Sequence, residues 1–306
     1  MAMGIKTEKI WMDGKLVDWE DAKVHVLTHA LHYGSGVFEG IRAYETDTGP
    51  AVFRLKEHVD RLFESAKLLY MEIPFTREEI SEAIKETIRA NHLQSCYTRP
   101  VVYRGLGQMG VNPLNCPVNV FIAVWPWGAY LGEEALAKGI RAKIASWARN
   151  YISSFPAKGK INGAYVNSIL AKIEALKCGY DEAIFLDTDG YVAEGSGENI
   201  FWAKDNVIYT TPLPTVLRGI TRASIIELAK DMGYEVVVAK AARDELYLAD
   251  EVWFCGTAAE ITPVREIDGH IIGEGHRGPI VKALQDRFFA VVHGKDPKYE
   301  KWLARV

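Results

Sequence analysis

Two lysines in one loop of small residues are the first candidates for chemistry. Lys158 and Lys160 lie within residues 153–168, SSFPAKGKINGAYVNS, with Gly159 between them and Tyr165 close behind. Glycine leaves room for a bulky group to lie against the backbone, and a lysine amine held in such a pocket can become a nucleophile. The alternative is that both lysines are solvated surface charges. The loop alone does not distinguish between them.

A carboxylate and a helix start are the next candidates. Glu194 opens the stretch EGSGEN, whose two glycines would let a planar ligand approach a strand edge closely, or would simply bend the sheet at a bulge. Residues 217–221, LRGIT, lead into a predicted helix, and the N–H groups and hydroxyl at such an entrance suit a phosphate. Ordinary N-capping by Thr221 is the alternative.

Arginines supply two candidate anion ligands. Residues 97–104 alternate like a strand, which places Tyr97, Arg99 and Tyr103 on one face. A guanidinium between two tyrosines could clamp a carboxylate, and an edge strand with a solvated arginine is the alternative. Arg61, inside a predicted amphipathic helix, is either an exposed charge or an anion ligand.

Two patterns that suggest other chemistry fail in their context. His25, His29 and His32 would align on one helical face and could bind a metal. However, their segment begins with strand-like alternation and lacks the glutamate of a zinc protease, so hydrogen-bonded structural histidines are expected. Residues 105–110, GLGQMG, have the spacing of a dinucleotide fingerprint, but VNPLNCP follows and cannot open a helix. We expect a loop there, and no metal site.

Composition limits the partners and the setting. The 306 residues are 48% apolar and 25% charged, and 36 basic against 40 acidic side chains give a net charge of -4. No basic block stands out, which argues against nucleic acid or an anionic membrane as partner. No apolar run approaches the ~20 residues of a membrane span, and the N-terminus lacks a signal-peptide core. Four scattered cysteines indicate a reducing, cytoplasmic setting without structural zinc.

The hydrophobic pattern predicts both strands and helices, with a break at residues 126–130. Thr76 and Glu79 form a predicted capping box. The predicted helices are 56–70, one that opens at Thr76, 165–177, 222–232 and 279–292. The predicted strands and hairpins are 9–20, 97–104, 117–125, 139–149, 182–194, 200–203 and 251–255.

Together the candidate residues supply what a pyridoxal phosphate site needs: a lysine, a carboxylate for the ring nitrogen, phosphate donors and a cationic clamp. Several stretches also resemble, in order, the branched-chain amino acid aminotransferases, which are fold-type IV pyridoxal phosphate enzymes. These stretches are ALHYGSGVFEGIRAY, YTRPVVYR, GQMGVNP, PWGAYLG, VAEGSGENIF, LRGITR and FCGTAAEITPV.

The resemblance covers nearly the whole chain and implies an architecture. The implied fold is that of the D-amino acid aminotransferase-like enzymes, mixed α/β (α+β), with pyridoxal 5'-phosphate between two domains. The expected domains are a smaller one over residues 1–122 and a larger, cofactor-binding one over residues 136–306, joined by a linker over residues 123–135.

The resemblance also implies a role for individual residues. Lys160, and not Lys158, falls at the lysine that binds the cofactor covalently, Tyr165 would contact the phenolic oxygen, and Glu194 would pair with the ring nitrogen. The implied phosphate and ring contacts are Arg61, Leu217, Gly219, Ile220, Thr221, Gly256 and Thr257. The implied substrate pocket contains Phe38, Gly40, Arg42, Tyr97, Arg99, Trp127, Tyr130, Ala258 and Ala259, with Tyr33, Met109 and Val111 from a neighbouring subunit. Ile161 and Asn162 replace a glycine-richer sequence.

The implied reaction is reversible transfer of the amino group of L-leucine, L-isoleucine or L-valine to 2-oxoglutarate, in amino-acid biosynthesis or breakdown. The implied assembly is a cytoplasmic homo-oligomer, at least a dimer with shared active sites and up to a hexamer. D-amino acid or (R)-amine transaminases and aminodeoxychorismate lyase share the lysine and the glutamate, but residues 97–99 and 40–42 favour the branched-chain enzyme. A nicotinamide oxidoreductase and a non-catalytic interaction module are the alternatives from other classes.

Overall fold

The computed structural model describes residues 5–128 and 132–306. They form two compact units: one contains the described part of Met1–Trp127 with Gly159–Ala164 and Ala290–Val306, and the other contains that of Gly128–Lys158 and Tyr165–Phe289. The sequence suggested a single boundary, at residues 123–135, whereas here two later segments pack with the first unit. As a result, Lys160 belongs to the first unit and Lys158 to the second.

The first unit contains an antiparallel sheet. Its described strands are β1 (Lys9–Met12), β2 (Lys15–Asp18), β3 (Gly36–Phe38), β4 (Ile41–Thr46), β5 (Gly49–Phe53), β6 (Cys96–Arg104), β7 (Val118–Trp125) and β17 (Leu303–Arg305). Their order is β17-β5-β4-β6-β7-β1-β2, and β3 pairs with β6. The predicted hairpin over residues 9–20 is confirmed by β1 and β2.

The helices of the first unit are α1 (His29–Tyr33), α2 (Leu55–Leu68) and α3 (Arg77–Ala90). α2 packs against α3 and β3, and α3 packs against β1 and β7. Their apolar stripes are buried, as the 3.6-residue period predicts. The capping box is confirmed, because the Thr76 hydroxyl accepts from Glu79 N and the Glu79 carboxylate accepts from Thr76 N. α2 ends earlier than predicted, since Tyr70 has a φ of 51°.

The second unit contains a mixed sheet. Its described strands are β8 (Ile140–Ile144), β9 (Glu182–Leu186), β10 (Val192–Gly195), β11 (Asn199–Lys204), β12 (Val207–Thr210), β13 (Glu235–Val238), β14 (Glu251–Gly256), β15 (Glu260–Ile267) and β16 (His270–Ile271). Their order is β10-β9-β8-β15-β14-β11-β12-β13, with β16 on β15. β8 is parallel to β9 and β15, and β12 is parallel to β13.

The helices of the second unit are α4 (Glu133–Lys138), α5 (Tyr165–Lys177), α6 (Ile220–Asp231), α7 (Arg243–Tyr247) and most of α8 (Pro279–Val292). α5 packs on β8 and β9, and α6 packs on β13 and β14. Within the described ranges, every helix is too short or too polar to cross a membrane.

The predicted strand over residues 139–149 is wrong in its second half, because β8 ends at Ile144. Immediately afterwards, the Glu174 carboxylate on α5 accepts hydrogen bonds from the N–H and the hydroxyl of Ser146. The Ser146 N–H therefore donates to a side chain instead of to a neighbouring strand, and β8 does not continue. This change of direction brings Arg149 towards β10.

Candidate active site

Lys160 is held by main-chain hydrogen bonds from two elements of the first unit. Lys160 N donates to Ser65 Oγ on α2 at 3.0 Å, and Phe38 N at the end of β3 donates to Lys160 O at 3.0 Å. Val37 and Ile161 form an isolated bridge beside this contact. Lys160 Nζ lies 4.9 Å from the centre of the Phe38 ring. The main chain of Lys160 is thus fixed from both sides, which gives its side chain a defined starting point.

Lys158 is held in a different way, within the second unit. Its Nζ donates to Val216 O at 2.9 Å, next to Leu217. Burial lowers the pKa of Lys158, and the neighbouring Arg218 lowers it further. The amine of Lys158 is therefore engaged in supporting the loop before α6. This difference favours Lys160 as the reactive lysine.

A buried ion pair lies on α2 close to Lys160. Arg61 Nε and Nη2 donate to the two oxygens of Glu39 at 2.6 and 2.8 Å, and His58 Nδ1 lies 2.7 Å from Glu39 Oε2. Burial alone would raise the pKa of Glu39, but Arg61 and His58 together hold it far below its usual range. Burial lowers the pKa of His58. His58 is therefore a neutral donor through Nδ1 at neutral pH, and the arginine charge is balanced by Glu39.

The pair could have been anticipated only in part. The sequence suggested Arg61 as an anion ligand, but it gave no role to Glu39 or His58. A signal was present, because Glu39 stands between apolar Phe38 and Ile41 with only Gly40 intervening. A charged residue in such a run has to find a buried partner.

An aromatic and cationic cluster in the first unit contains half of the predicted substrate residues. Arg99 Nη2 donates to Tyr97 Oη at 3.0 Å, and Arg99 Cζ lies 4.6 Å from the centre of the Phe38 ring. Tyr97 packs edge-on against Trp127, with ring centres 4.6 Å apart. Arg99 Nε is buried and has no hydrogen-bond partner among the described residues. An unpartnered buried guanidinium donor is unfavourable, so the cluster suits an anionic ligand group.

Gly40 allows this cluster to close. A Cβ atom on Gly40 would lie 2.0 Å from Tyr97 Oη, so only glycine fits there. Arg42 lies opposite Tyr97 across β4 and β6, and its Nη2 donates to Trp127 O at 2.9 Å. The predicted Tyr130 lies outside the described residues.

Glu194, in the second unit, is held by three donors. Arg149 Nε donates to Oε1 at 2.9 Å, and Asn199 Nδ2 and Leu217 N donate to Oε2 at 3.1 and 3.2 Å. Glu194 as a whole is only 4% exposed. A carboxylate held in this way suits a cationic ring nitrogen, because an adjacent negative charge favours the protonated form. Arg149 was not predicted, since it lay in a segment expected to be a strand.

The start of α6 offers phosphate donors beside this carboxylate. α6 begins at Ile220, and Gly219 is its N-cap without a side-chain acceptor. Capping by Thr221 is therefore wrong, because Thr221 is already inside the helix. A Cβ on Gly219 would lie 1.9 Å from Asn199 Oδ1, which ties the helix start to the amide that contacts Glu194. Uncapped N–H groups at a helix N-terminus bind phosphate well.

The turn between β14 and β15 adds small residues at the same end of the second sheet. Cys255 pairs with Asn199 across β14 and β11. The turn residues Thr257 and Ala258 are half-buried, and Ala259 is buried. Gly256 lies close to Gly197, whose carbonyl oxygen would be 3.6 Å from an added Cβ. Gly256, which precedes the turn, therefore lies beside residues 197–198, which follow β10 and its Glu194. Tyr165, at the start of α5, is half-buried.

Tyr33, Met109 and Val111 stand apart from these clusters. They are 47%, 41% and 86% exposed on the first unit. The expected loop over residues 105–110 is confirmed, and it continues to Val111. A contribution of these side chains to the pocket of a second copy stays a prediction.

His29 anchors this loop. Its Nε2 lies 2.8 Å from Gly110 O, and its Nδ1 lies 2.7 Å from Ser35 Oγ. Because a carbonyl only accepts, Nε2 of His29 donates to Gly110 O. His29 is thus a hydrogen-bonded structural histidine, as predicted. Among the described residues, no group of three or more His, Cys, Asp or Glu side chains could hold a metal ion.

Comparison with known proteins finds relatives along the whole chain. The family model described as amino-transferase class IV matches residues 36–267. A branched-chain-amino-acid aminotransferase of Pseudomonas aeruginosa is 51% identical over 302 residues, which is 99% of this chain and 98% of that protein. The crystal structure of the Escherichia coli branched-chain amino acid aminotransferase has a TM-score of 0.96 at 48% identity, covering 98% of this chain and 99% of that chain. The holo-form of the Thermobaculum terrenum branched-chain amino acid aminotransferase, which contains PLP, has a TM-score of 0.92 at 35% identity, covering 98% of each chain.

Proposed function

Because the chain belongs to the class IV aminotransferases and, within them, to the branched-chain amino acid aminotransferases, we propose that it catalyses their reaction. It uses pyridoxal 5'-phosphate to transfer the amino group of L-leucine, L-isoleucine or L-valine to 2-oxoglutarate, and the products are the branched 2-oxo acid and L-glutamate. The observation that carries this proposal is the two-sided main-chain hydrogen bonding of Lys160 by Ser65 and Phe38.

The residues present suit the cofactor. When bound, pyridoxal phosphate supplies an electrophilic carbon for the substrate amine and a ring that withdraws electrons from the substrate Cα. Glu194, held by Arg149, would keep the ring nitrogen protonated. The residues that would hold the phosphate, the phenolic oxygen and the ring are Arg61, Tyr165, Leu217, Gly219, Ile220, Thr221, Gly256 and Thr257.

Lys160 would hold the cofactor between turnovers and move a proton during them. Its amine would accept the proton from the substrate Cα and later donate it again, which is general base and then general acid catalysis by one group. The fixed main chain limits the positions of Nζ to those that its side-chain rotamers reach. The Phe38 ring beside Nζ keeps one flank of the amine away from water.

The aromatic cluster would account for the two substrate types. Phe38, Tyr97 and Trp127 offer apolar walls for a branched side chain, where buried methyl groups gain roughly 25 cal/mol per Å². Arg99, with its unpartnered Nε, would bind the substrate carboxylate groups. The main chain at Ala258 and Ala259 would add hydrogen bonds in the same role. One pocket can then accept leucine in one half-reaction and glutamate in the other.

The test compares the two lysines. Lys160→Ala should abolish turnover and the absorbance of the covalently bound cofactor, whereas Lys158→Ala, the matched control, should keep both. Turnover in Lys160→Ala would contradict the proposal. Half-reactions of the wild-type enzyme with L-leucine, D-alanine and an (R)-amine separate it from the other transaminases of this fold, because only L-leucine should react rapidly.

We also propose that the enzyme is a cytoplasmic homo-oligomer, at least a dimer and up to a hexamer. Support comes from apolar side chains at the surface, among them Val111 and Leu31 on the first unit and Ile169 on α5. The cysteines are all free, which suits a reducing compartment. A solution mass equal to one chain, measured by light scattering, would contradict the oligomer.

A further inference from the structure

Glu39 is a buried charge to which the reaction described above gives no task. It is 0% exposed, and its N–H donates to Pro100 O on β6 at 3.0 Å, which fixes its main chain. Both of its carboxylate oxygens are used, one by Arg61 Nε and the other by Arg61 Nη2 and His58 Nδ1. Burying a carboxylate is unfavourable unless it is paired. A fully enclosed glutamate therefore needs an explanation.

The geometry of the pair shows what Glu39 does to Arg61. Two parallel N–H···O bonds, of 2.6 and 2.8 Å, join the carboxylate to Nε and Nη2 of the same guanidinium. Such a fork fixes the plane of the guanidinium as well as its distance. A single hydrogen bond would leave Arg61 free to rotate about it.

One face of α2 links this fork to Lys160. His58, Arg61 and Ser65 are spaced three and four residues apart, so they lie along the same side of the helix. Ser65 accepts the hydrogen bond from Lys160 N, and His58 and Arg61 both donate to Glu39. Arg61, which Glu39 orients, therefore lies about one helical turn from Ser65, which holds the main chain of Lys160.

We propose that Glu39 is a positioning residue, which orients the Arg61 guanidinium to receive the phosphate of the cofactor. It acts through Arg61 and touches neither the substrate nor the reacting atoms. The inference rests on the assignment of Arg61 to the phosphate in the proposed function. It implies that the charge of Arg61 alone is not enough, and that the fork has to be intact.

Glu39→Gln breaks the fork with almost no change in volume. The amide has one acceptor and one donor end. With its NH2 group at the position of Oε2, His58 can accept by changing tautomer, but Arg61 Nη2 cannot accept. With the amide turned over, Arg61 Nε faces a donor instead. One of the two parallel bonds is lost in either case.

The experiment measures binding of pyridoxal 5'-phosphate and of pyridoxal, which lacks the phosphate, to the full chain after the cofactor has been removed. The ratio of the two dissociation constants reports the phosphate contact. Glu39→Gln should lower the preference for the phosphorylated form about tenfold or more, as expected for a charge-assisted contact, with pyridoxal affinity unchanged. His58→Asn is the matched control, since it spares the fork and should keep the preference.

Arg61→Lys, which keeps the charge but cannot form the fork, and Arg61→Met separate the possible failures. If Arg61→Met, which removes the guanidinium, leaves the preference intact, Arg61 does not bind the phosphate and that part of the proposed function fails. If Arg61→Met loses the preference but Arg61→Lys keeps it, the charge suffices without the fork and the positioning role is overturned. If Arg61→Lys loses the preference and Glu39→Gln keeps it, the positioning role is overturned. The double variant Glu39→Gln/Arg61→Lys gives a further check. If its loss of preference for the phosphorylated form is the full sum of the two single losses, the positioning role is also overturned, because a residue that acts through Arg61 should have no further effect once Arg61 is replaced. If Glu39→Gln does not fold, Glu39→Asp, which is too short to span the fork, takes its place with the same expected loss.

Discussion

Gly40→Ala should slow the enzyme by moving one phenol. An added Cβ would lie 2.0 Å from Tyr97 Oη and 2.9 Å from Tyr97 Cζ, whereas real Cβ atoms essentially never come within 3.0 Å of another atom. The phenol oxygen therefore has to move by about 1 Å. The backbone at Gly40 cannot yield easily, since it lies between β3 and β4, which both pair with β6.

Tyr97 has little room for this movement. It is 4% exposed, and its ring centre lies 5.1 Å from that of Trp125 and 4.6 Å from that of Trp127. Its hydroxyl also accepts from Arg99, so both side chains shift together. Overpacking of this kind costs ~1–3 kcal/mol of stability. A displacement of about 1 Å in a substrate-positioning group can slow a reaction ~100-fold. We expect kcat/KM for L-leucine to fall by a factor of roughly 10 to 100.

The assay is the half-reaction with L-leucine, and the absorbance of bound cofactor is the internal control. Tyr97→Phe is the matched variant, because it removes the oxygen that the new methyl group meets. The double variant Gly40→Ala/Tyr97→Phe should therefore react faster than the two single effects predict. If the fold-losses in rate of Gly40→Ala and Tyr97→Phe simply multiply in the double variant, contact between the new methyl group and the Tyr97 hydroxyl is not the cause, and the reasoning is refuted.

Three further variants test supporting contacts. Ser65→Ala removes the acceptor of the Lys160 N–H. It should slow the half-reaction severalfold and lower the free energy of unfolding by ~1–3 kcal/mol. An unchanged stopped-flow rate and an unchanged urea titration would show that the hydrogen bond from Lys160 N to Ser65 does not hold the lysine in place. Burial raises the pKa of Glu198 from 4.5 to about 8. Between these values the folded chain keeps a proton on Glu198 that the unfolded chain has lost, so the contribution of Glu198 to stability should fall as pH rises, by up to ~1.4 kcal/mol per pH unit. Glu198→Gln should lack this slope in urea titrations from about pH 5 to 8, and equal slopes would reject the assignment. His29→Ala frees the loop at Gly110, and it should raise KM severalfold with the cofactor absorbance unchanged; an unaltered KM would show that the anchor does not serve the pocket.

Periodic segments of the chain were predictable because burial of one face determines them. The stripes of α2 and α3, and the capping box before α3, follow from the sequence alone and are confirmed. The end of β8 was not predictable, because a side chain from α5 decides it. The Glu174 carboxylate accepts a hydrogen bond from Ser146 N, which is 28 residues away in sequence. No pattern within residues 139–149 indicates that contact.

Most of the proposed site residues came from the resemblance, while their supports came only from the structure. The supports are hydrogen bonds between distant positions: Glu39 and Arg61 are 22 residues apart, Arg149 and Glu194 are 45 apart, and Ser65 and Lys160 are 95 apart. A motif records which residues stand close together in sequence. A hydrogen bond from a residue on a distant helix or strand cannot be read from such a motif.

A physical signal for some of these supports is nevertheless present in the amphipathic helices. On α2 the buried face includes His58, Arg61 and Ser65 among its apolar residues, and a polar group on a buried face has to find a partner. The same rule applies to α6, where buried Arg222 donates to Thr210 Oγ1 and Thr211 O and so fastens the helix start that is proposed to hold the phosphate. Polar residues that interrupt an apolar stripe therefore point to the face of a helix that supports a site, even when the partner is far away in sequence.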